Sequence, residues 1–349
     1  MPFNTDNTVA VIVPVYNMEK YIGRCIDSLK RQTHPHCLFL IVDDGSTDQS
    51  LFKIKEQTQN DSRFVLLHKT NGGVSSARNY ALDYIQQNLK DRIKYLSFVD
   101  SDDYISDEFL IKMTDHAEKF KTDCAICAYQ TFTKLGNSRK IEGLTLKTLS
   151  HSELITQFFN ITESRQTTQR DCYTSIFLSN RLYRYSAISA YRFNTKIRVC
   201  EDQDYIIHCL KNLSSGICVP HIGYFYRKRI SSLSNETHVK KHDYICYENL
   251  LKEKGDFEPH IQIGIDHRAK TLLWQLIFST LSSNLKNKKE DIVKYIDAFS
   301  LIDNENLTPK DKQRLQLLKE NSKLLLVKAY SRKLLQKIRF LSNKFRYYR

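Results

Sequence analysis

Loops of the kind that grip phosphates are missing from this chain. Neither a G-x-G-x-x-G run nor a G-x-x-x-x-G-K-[ST] run occurs in its 349 residues, which argues against dinucleotide-binding and P-loop enzymes. No apolar run reaches the ~18 residues that a membrane-spanning helix needs. The best stretch, Thr271 to Thr280, is short and broken by Gln275, and reads as a core helix. The N-terminal residues include Pro2 and Asp6 and lack the basic-then-apolar pattern of a secretory leader, so a cytoplasmic protein is expected. The nine cysteines form no spacing framework and are odd in number, which suits reduced thiols better than a disulfide scaffold. Cys124 and Cys127 make a single C-x-x-C within a strand-like run, where residues three apart face opposite ways, the wrong arrangement for a shared metal. Acidic residues are in deficit: 39 Asp and Glu stand against 53 Lys and Arg, for a formal net charge of +14. That excess points to an anionic partner, whether nucleotide, nucleic acid, phosphorylated glycan or anionic membrane.

Against this basic background one acidic cluster stands out. Tyr95 to Val99 reads as a buried strand, and Asp100, Asp102 and Asp103 follow where it should end. Like charges so close repel, and desolvating each would cost several kcal/mol. A divalent cation such as Mg²⁺ or Mn²⁺, which prefers hard oxygen ligands, would remove both objections. The plainer alternative is a solvated acidic turn leading into the next helix.

Strand and helix alternate through the first third. Val9 to Val13 begins a buried strand that Pro14 should end or bulge, because proline cannot donate to a ladder. Tyr21 to Gln32 carries helical periodicity, and Leu38 to Val42 is a second strand. Ser46, Thr47 or Asp48 can cap a helix running to Gln59. Phe64 to Leu67 is a third strand, Ser75 or Ser76 starts a helix to Asn88, and Tyr95 to Val99 is the fourth strand. This order predicts a parallel α/β sheet with helices on both faces. In such sheets ligands bind at the carboxyl ends of the strands. Asn17, Asp43, Asp44, Asn71, Asp100 and Asp102 all fall just past those ends.

Four segments then carry a resemblance. Val13-Pro14-Val15-Tyr16-Asn17, Ile41 to Asp48 (Ile-Val-Asp-Asp-Gly-Ser-Thr-Asp), Asn71 to Asn79 (Asn-Gly-Gly-Val-Ser-Ser-Ala-Arg-Asn) and Asp100-Ser101-Asp102-Asp103 resemble, in order and spacing, the motifs of the family 2 glycosyltransferases with the GT-A fold. The resemblance covers residues 8–235. It implies a Rossmann-like, mostly parallel sheet flanked by helices, with a nucleotide-sugar-binding half in 1–120, an acceptor-binding half in 121–238 and a helical C-terminal region in 239–349. Tyr16 matches the family's aromatic that stacks on the nucleotide base, a contact worth ~1–3 kcal/mol. Asp44 matches the acid that accepts the N3–H of uracil, and Asp43 would lie beside the ribose or support the loop. Pro14, Asn17 and Ser101 fall among the implied nucleotide-sugar contacts. Arg78 matches a cation near the diphosphate or sugar, where a helix start adds its own anion-binding end. Asp102 matches the direct ligand of Mn²⁺ or Mg²⁺. Asp100 would hold sugar or ribose hydroxyls or reach the metal through water, and Asp103 would support the loop.

The middle of the chain extends the resemblance. Asp123 to Thr133 reads as a fifth strand, and residues 134–175 are polar and uninformative. Asn180-Arg181-Leu182-Tyr183, followed by Glu201-Asp202-Gln203-Asp204-Tyr205, is similar to the family's acceptor side, with Arg181 where Lys is commoner and Tyr205 where Phe is commoner. Asp202 matches the catalytic base, which takes the acceptor hydroxyl's proton. Glu201 would orient it or bind acceptor hydroxyls. Read without the resemblance, both are acids favoured at a helix N-terminus. Tyr224 to Ser232 resembles the closing Tyr-x-Tyr-Arg-x-Arg-x-x-Ser segment, whose alternation would aim Arg227 and Arg229 together at the diphosphate or a lid. A basic edge strand that resists aggregation is the alternative. His221 stays outside the expected ligand set.

From Lys240 onward the motifs stop and helical periodicity takes over. Residues 321–349 hold nine Lys or Arg and no Asp or Glu, with apolar residues from Val327 to Tyr348 at spacings of three or four. This basic amphipathic helix is expected to lie on an anionic membrane surface, with docking on the catalytic domain or on another subunit as the alternative. A homo-oligomer is left open. The whole predicts a metal-dependent inverting glycosyltransferase. It would move a sugar from a nucleotide-sugar donor, UDP-linked by resemblance, to a saccharide or lipid-linked saccharide acceptor in capsule, lipopolysaccharide or exopolysaccharide synthesis. Two other classes compete. A sugar-phosphate nucleotidyltransferase would carry a glycine-rich loop where Pro14 to Asn17 stand. A basic binder of nucleic acid or membrane leaves the acidic strand ends unexplained, so no nucleic-acid partner is expected.

Overall fold

Seven consecutive buried residues, Val9–Val15, form β1 at the heart of the sheet. The computed structural model describes residues 8–133, 136–137, 144–159, 178–197, 200–228, 239–281 and 288–320. They belong to two compact units, divided between Glu236 and Thr237.

In the first unit β1 is followed by α1 (Ile22–Lys30), β2 (Cys37–Asp43), α2 (Ser50–Thr58), β3 (Phe64–His68), α3 (Val74–Asn88) and β4 (Tyr95–Phe98). This is the alternation the sequence predicts. Next come β5 (Tyr104–Ile105), α4 (Phe109–Phe120), β6 (Cys124–Thr133), β7 (Gly136–Asn137), β8 (Lys147–Ser150), α5 (His151–Phe159), β9 (Arg181–Arg184), α6 (Tyr185–Ile188), α7 (Glu201–Leu210) and β10 (Ser215–Arg227). The sheet runs β3-β2-β1-β4-β9-β6-β10-β5. The first four strands in that order are parallel to their neighbours, as is the β6–β10 pair. β9 lies antiparallel between β4 and β6, and β5 pairs antiparallel with β10, so the sheet is mixed. The fold is the expected GT-A-like α/β class.

Pro14 does not end β1. Ile12 accepts the Val99 N–H on the β4 side, whereas Val15 accepts the Asp44 N–H on the β2 side. Pro14 shares the side of Ile12, and pairing with β4 stops at Ile12 opposite Phe98. Its missing donor therefore points where the ladder has already run out. β1 and β2 are apolar throughout except at their ends, because both faces are covered. Each fully buried Val or Ile there is worth ~1.5–3 kcal/mol. Cys124 and Cys127 are buried free thiols, in keeping with a structural role. The uninformative stretch before residue 160 contributes β8 and α5, which bury Leu149, Leu154, Ile155, Phe158 and Phe159.

The second unit contains α8 (Val239–Glu253), α9 (Pro259–Leu281), α10 (Lys288–Ala298) and α11 (Pro309–Glu320). Leu272, Leu273 and Ile277 are buried on α9, so Thr271 to Thr280 is the core helix that its sequence suggests. No helix among the described residues is long and apolar enough to cross a membrane. The basic segment 321–349 lies outside the described residues, as does Arg229.

Asp266 organises this unit. It has no exposed surface, and it accepts from Lys254 Nζ at 3.1 Å, the Asp303 N–H at 3.0 Å and Asn306 Nδ2 at 2.8 Å. Asp266→Ala leaves Lys254 and a turn without their shared acceptor. The expected cost is ~3–5 kcal/mol, the range for breaking a buried ion pair, read by urea denaturation of the full chain. A loss under ~1 kcal/mol would mean that the turn holds without it.

Candidate active site

The loops that leave the carboxyl ends of β1, β2 and β3 are tied to one another by their own side chains. Asn17 adopts a left-handed backbone (φ 52°) directly after β1. Its Oδ1 accepts the Thr47 N–H at 2.8 Å, and its own N–H reaches Ser46 Oγ at 3.1 Å. Asp48 accepts the Glu19 N–H, and Glu19 accepts the Gln49 N–H in return. Gly45 must be glycine: its φ is +72°, and a Cβ would sit 2.8 Å from the Asn71 amide nitrogen. None of Ser46, Thr47 and Asp48 stands at the N-cap of α2, which is Gln49 without a side-chain cap; Asp48, one residue before it, accepts the Ser50 N–H through Oδ1 at 2.9 Å.

Asp44 is buried and fully engaged. It accepts from Lys69 Nζ at 2.7 Å, the Gly73 N–H at 2.7 Å and the Gly72 N–H at 3.1 Å. It thus shapes the Asn71–Gly73 turn, where Gly73 (φ +87°) opens α3 one residue earlier than Ser75 would. Asp43 is fully buried; its Oδ2 meets His68 Nδ1 at 2.8 Å, and its Oδ1 has no hydrogen-bond partner among the described residues. Pro14 is buried beneath this region, whereas Tyr16 is 45% exposed, a ring face open to a ligand.

α3 buries Ala77, Arg78, Ala81, Leu82 and Ile85 on one face, so Arg78 is drawn into the protein by its position in the helical repeat. Its guanidinium forks between two acids, Asp100 Oδ1 at 3.0 Å and Glu201 Oε1 at 2.9 Å. Its Cζ also lies 5.2 Å from the Phe193 ring centroid. Burial works against its charge, but Asp100, Glu201 and Asp202 outweigh that and hold its pKa above the ordinary value. Asn79 exchanges two hydrogen bonds with the Phe193 backbone, fixing the same face of α3.

α7 begins on strained backbone. Cys200 is buried and left-handed (φ 66°), and it turns the chain so that Glu201, Asp202 and Asp204 form the helix's first turn. Asp202 is crowded by protein. Burial first, and Glu201 second, raise its carboxyl pKa to about 7, against the pull of Arg78 and the Gln203 N–H. Asp202, Arg78 and Asp100 line one cavity, together with Tyr129, Ser179, Asn180, Tyr224 and Tyr226. Asp44 and Asp102 lie outside that lining. Tyr224 and Tyr226 belong to the closing segment that the sequence singles out, whereas Tyr129 in β6 and Ser179 ahead of β9 escape sequence reasoning because nothing local marks them. Asn180, which opens the segment that the sequence likens to the acceptor side, is left-handed (φ 60°) and bonds Cys127 O through Nδ2.

The acidic loop divides its labour. Asp103 is buried and accepts from Tyr224 Oη and the Arg227 N–H, both at 2.7 Å. Burial, then Asp102 and Asp100, push its pKa well above the usual carboxylate range. Ser101 is buried, and Asp100 and Asp102 keep partial exposure. Among the described residues no group of three or more His, Cys, Asp or Glu is arranged to hold a metal ion. Asp100 and Asp102 nevertheless fit Mg²⁺ or Mn²⁺, which is held by one or two carboxylates with substrate phosphates completing the shell. His221 hydrogen-bonds Ser106 Oγ at 2.7 Å, well accounted for as a structural residue.

Comparison with known proteins bears on this arrangement. The model of the family described as "Glycosyl transferase family 2" matches residues 10–190. EpsJ of Bacillus subtilis, an uncharacterized glycosyltransferase, is 38% identical over 121 residues, 35% of this chain and 33% of its own length. EpsH of the same organism, a putative glycosyltransferase, is 30% identical over 240 residues, 64% of this chain and 62% of its own. GgaB of B. subtilis, a minor teichoic acid biosynthesis protein, is 24% identical over 326 residues, 88% of this chain and 34% of its own. The chain thus spans between a third and three fifths of these relatives. Among solved structures, S. aureus TarS 1–349 in complex with UDP-GlcNAc superposes with a TM-score of 0.66 at 20% identity, covering 86% of this chain and 82% of that one. This likeness establishes the GT-A fold.

Proposed function

This chain belongs to glycosyl transferase family 2, and we propose that it moves a sugar with inversion from a UDP-linked donor to a saccharide or lipid-linked saccharide acceptor in the building of a cell-surface polymer. The observation that carries the reading is the Arg78 fork, which joins the Asp100 strand end to Glu201 and leaves Asp202 facing the same cavity. The UDP-GlcNAc held by TarS and the teichoic acid synthesis in the name of GgaB support the donor and acceptor classes.

Residues 1–120 hold the donor in this reading and 121–238 the acceptor. Tyr16 stacks on the base, while Asp43 offers its unpartnered oxygen to the nucleoside. Asp44 acts through the Asn71–Gly73 turn that it holds. Pro14, Asn17 and Ser101 set the backbone of the donor loops. Asp102, with Asp100, would hold Mn²⁺ or Mg²⁺, and the bound cation would neutralise charge on the departing diphosphate. Asp202 takes the proton from the acceptor hydroxyl as the new C–O bond forms. The anomeric carbon's bond to the diphosphate breaks, and its electron pair leaves with UDP. Glu201 keeps the acceptor end of Arg78 in place. Arg229 and the segment 321–349 complete the reading as a diphosphate cation and a membrane contact.

The test is UDP release from candidate UDP-sugars with saccharide acceptors. Activity is expected to vanish on chelation and return with Mn²⁺, and Asp102→Asn is expected to lower it by about a hundredfold, the scale of a lost electrostatic contact to the leaving group. Pyrophosphate as the product, or full transfer in the presence of chelator and in Asp102→Asn, would overturn the reading or its metal.

A further inference from the structure

The acidic loop is not self-supporting: residues 100–106 are sewn onto β10. Tyr224 Oη donates to Asp103 Oδ2 at 2.7 Å and accepts the Asp100 N–H at 3.3 Å. The Ser106 N–H reaches Gly223 O, and β5 pairs with Tyr224 and Phe225. Arg227 makes two further ties. Its backbone N–H donates to Asp103 Oδ1 at 2.7 Å, and its Nε–H donates to the Asp102 carbonyl at 2.7 Å. Its guanidinium packs against two rings, with Cζ 4.5 Å from the Phe132 centroid and 4.9 Å from that of Tyr21. Arg24 closes the stack, 3.9 Å from Tyr104 and 5.0 Å from Phe132. Tyr104 in turn stacks on Phe225, with centroids 4.5 Å apart.

We infer that Arg227 is a positioning residue for the metal: it fixes the backbone at Asp102 from β10 and thereby sets how tightly Asp100 and Asp102 hold a divalent cation with the nucleotide. Three features of this side chain carry the inference. The bond to a carbonyl constrains the main chain of the very residue that would ligate the ion. The planar group lies against two aromatic rings, which restrict it, so its Nε is aimed before any ligand arrives. The acid it shares with Tyr224, Asp103, is buried and turned away from solvent, so it can serve only as an anchor. Partners one step removed from a metal typically change affinity by about 10–100-fold when lost.

The inference rests on the metal-assisted reading above, and the experiment separates the two. Free Mn²⁺ is titrated by electron paramagnetic resonance against the full chain with UDP, and UDP binding is measured separately in chelator. Arg227→Lys keeps the charge and loses the planar Nε donor. It is expected to weaken Mn²⁺ binding by about tenfold while UDP affinity in chelator stays within about twofold. Tyr224→Phe removes the other tie to Asp103 and is expected to weaken Mn²⁺ binding in the same direction, by about threefold. Turnover of Arg227→Lys should recover at saturating Mn²⁺. Unchanged Mn²⁺ affinity in both variants overturns the inference. So does an equal loss of UDP affinity with and without metal, which would make Arg227 a diphosphate ligand and nothing more. If the wild-type chain binds UDP but no Mn²⁺, the inference and the metal fall together while the transferase reading stands.

Discussion

Asp202→Asn is expected to lower turnover by about a thousandfold, within the 10²–10⁴ range of general-base catalysis, while leaving UDP affinity unchanged. The substitution keeps the shape of the side chain and removes only its capacity to take a proton. Its pH dependence follows from the environment of the carboxyl, whose pKa is raised to about 7 by burial and by Glu201. The base is active as the carboxylate, so kcat/KM of the wild-type enzyme should fall tenfold per pH unit below that value and level off above it. Any cation bound nearby will move the limb toward lower pH.

Stability separates a base from an ordinary helix acid. A carboxyl whose pKa is raised by folding opposes the folded state once ionised. That opposition is absent below the unfolded value, near pH 4, and grows as pH rises to about 7. Asp202→Asn should therefore stabilise the protein at pH 8, by up to ~4 kcal/mol at ~1.4 kcal/mol per pKa unit, and do nothing near pH 4. An acid placed only to favour the helix N-terminus would behave oppositely, its loss costing ~0.3–1 kcal/mol at neutral pH. A variant that is inactive and more stable above neutrality is the signature of a residue kept for chemistry. A variant less stable at pH 8 and still active would return Asp202 to the macrodipole.

How much of this is visible in the sequence depends on the range of the forces involved. β1, β2 and β4 announce themselves because strands covered on both faces must be apolar, and the acids at the ends of β2 and β4 break that pattern abruptly. The turn at Gly45 is legible for the same local reason, since only glycine tolerates its φ beside the Asn71 backbone. β9 is not legible. Arg181-Leu-Tyr-Arg184 is read as part of an acceptor-side segment, not as a strand, and its place between β4 and β6 is decided by partners distant in the chain. Asp44 shows the limit most clearly. Its motif marks it as a donor-site acid, but its two oxygens are taken up by Lys69, Gly72 and Gly73, a fact that follows from the loop's closure. The pairing of Arg78 with Glu201 spans 123 residues and has no local signature at all.

That pairing supports the second large effect. Arg78→Met is expected to cost ~3–5 kcal/mol, the range for removing one partner of a buried ion pair, and to abolish transfer. Methionine keeps the unbranched apolar stem of the side chain, so the change removes chiefly the guanidinium and its charge. What remains is a pair of carboxylates, Asp100 and Glu201, facing each other without their cation, with Asp202 close by. Adding Glu201→Gln to Arg78→Met removes one of those uncompensated charges. The double variant is therefore expected to regain ~1–2 kcal/mol over Arg78→Met alone, although Glu201→Gln by itself destabilises; a coupling of this sign and size is what a shared network produces. Acidification should act in the same direction: without the pull of Arg78 the Asp202 carboxyl is pushed further up, so the deficit of Arg78→Met should shrink between pH 7 and pH 4. Denaturation at both pH values measures all of this without any substrate. A deficit below ~1 kcal/mol that does not change with pH would place Arg78 among ordinary surface ion pairs and would dissolve the link between the two halves of the site.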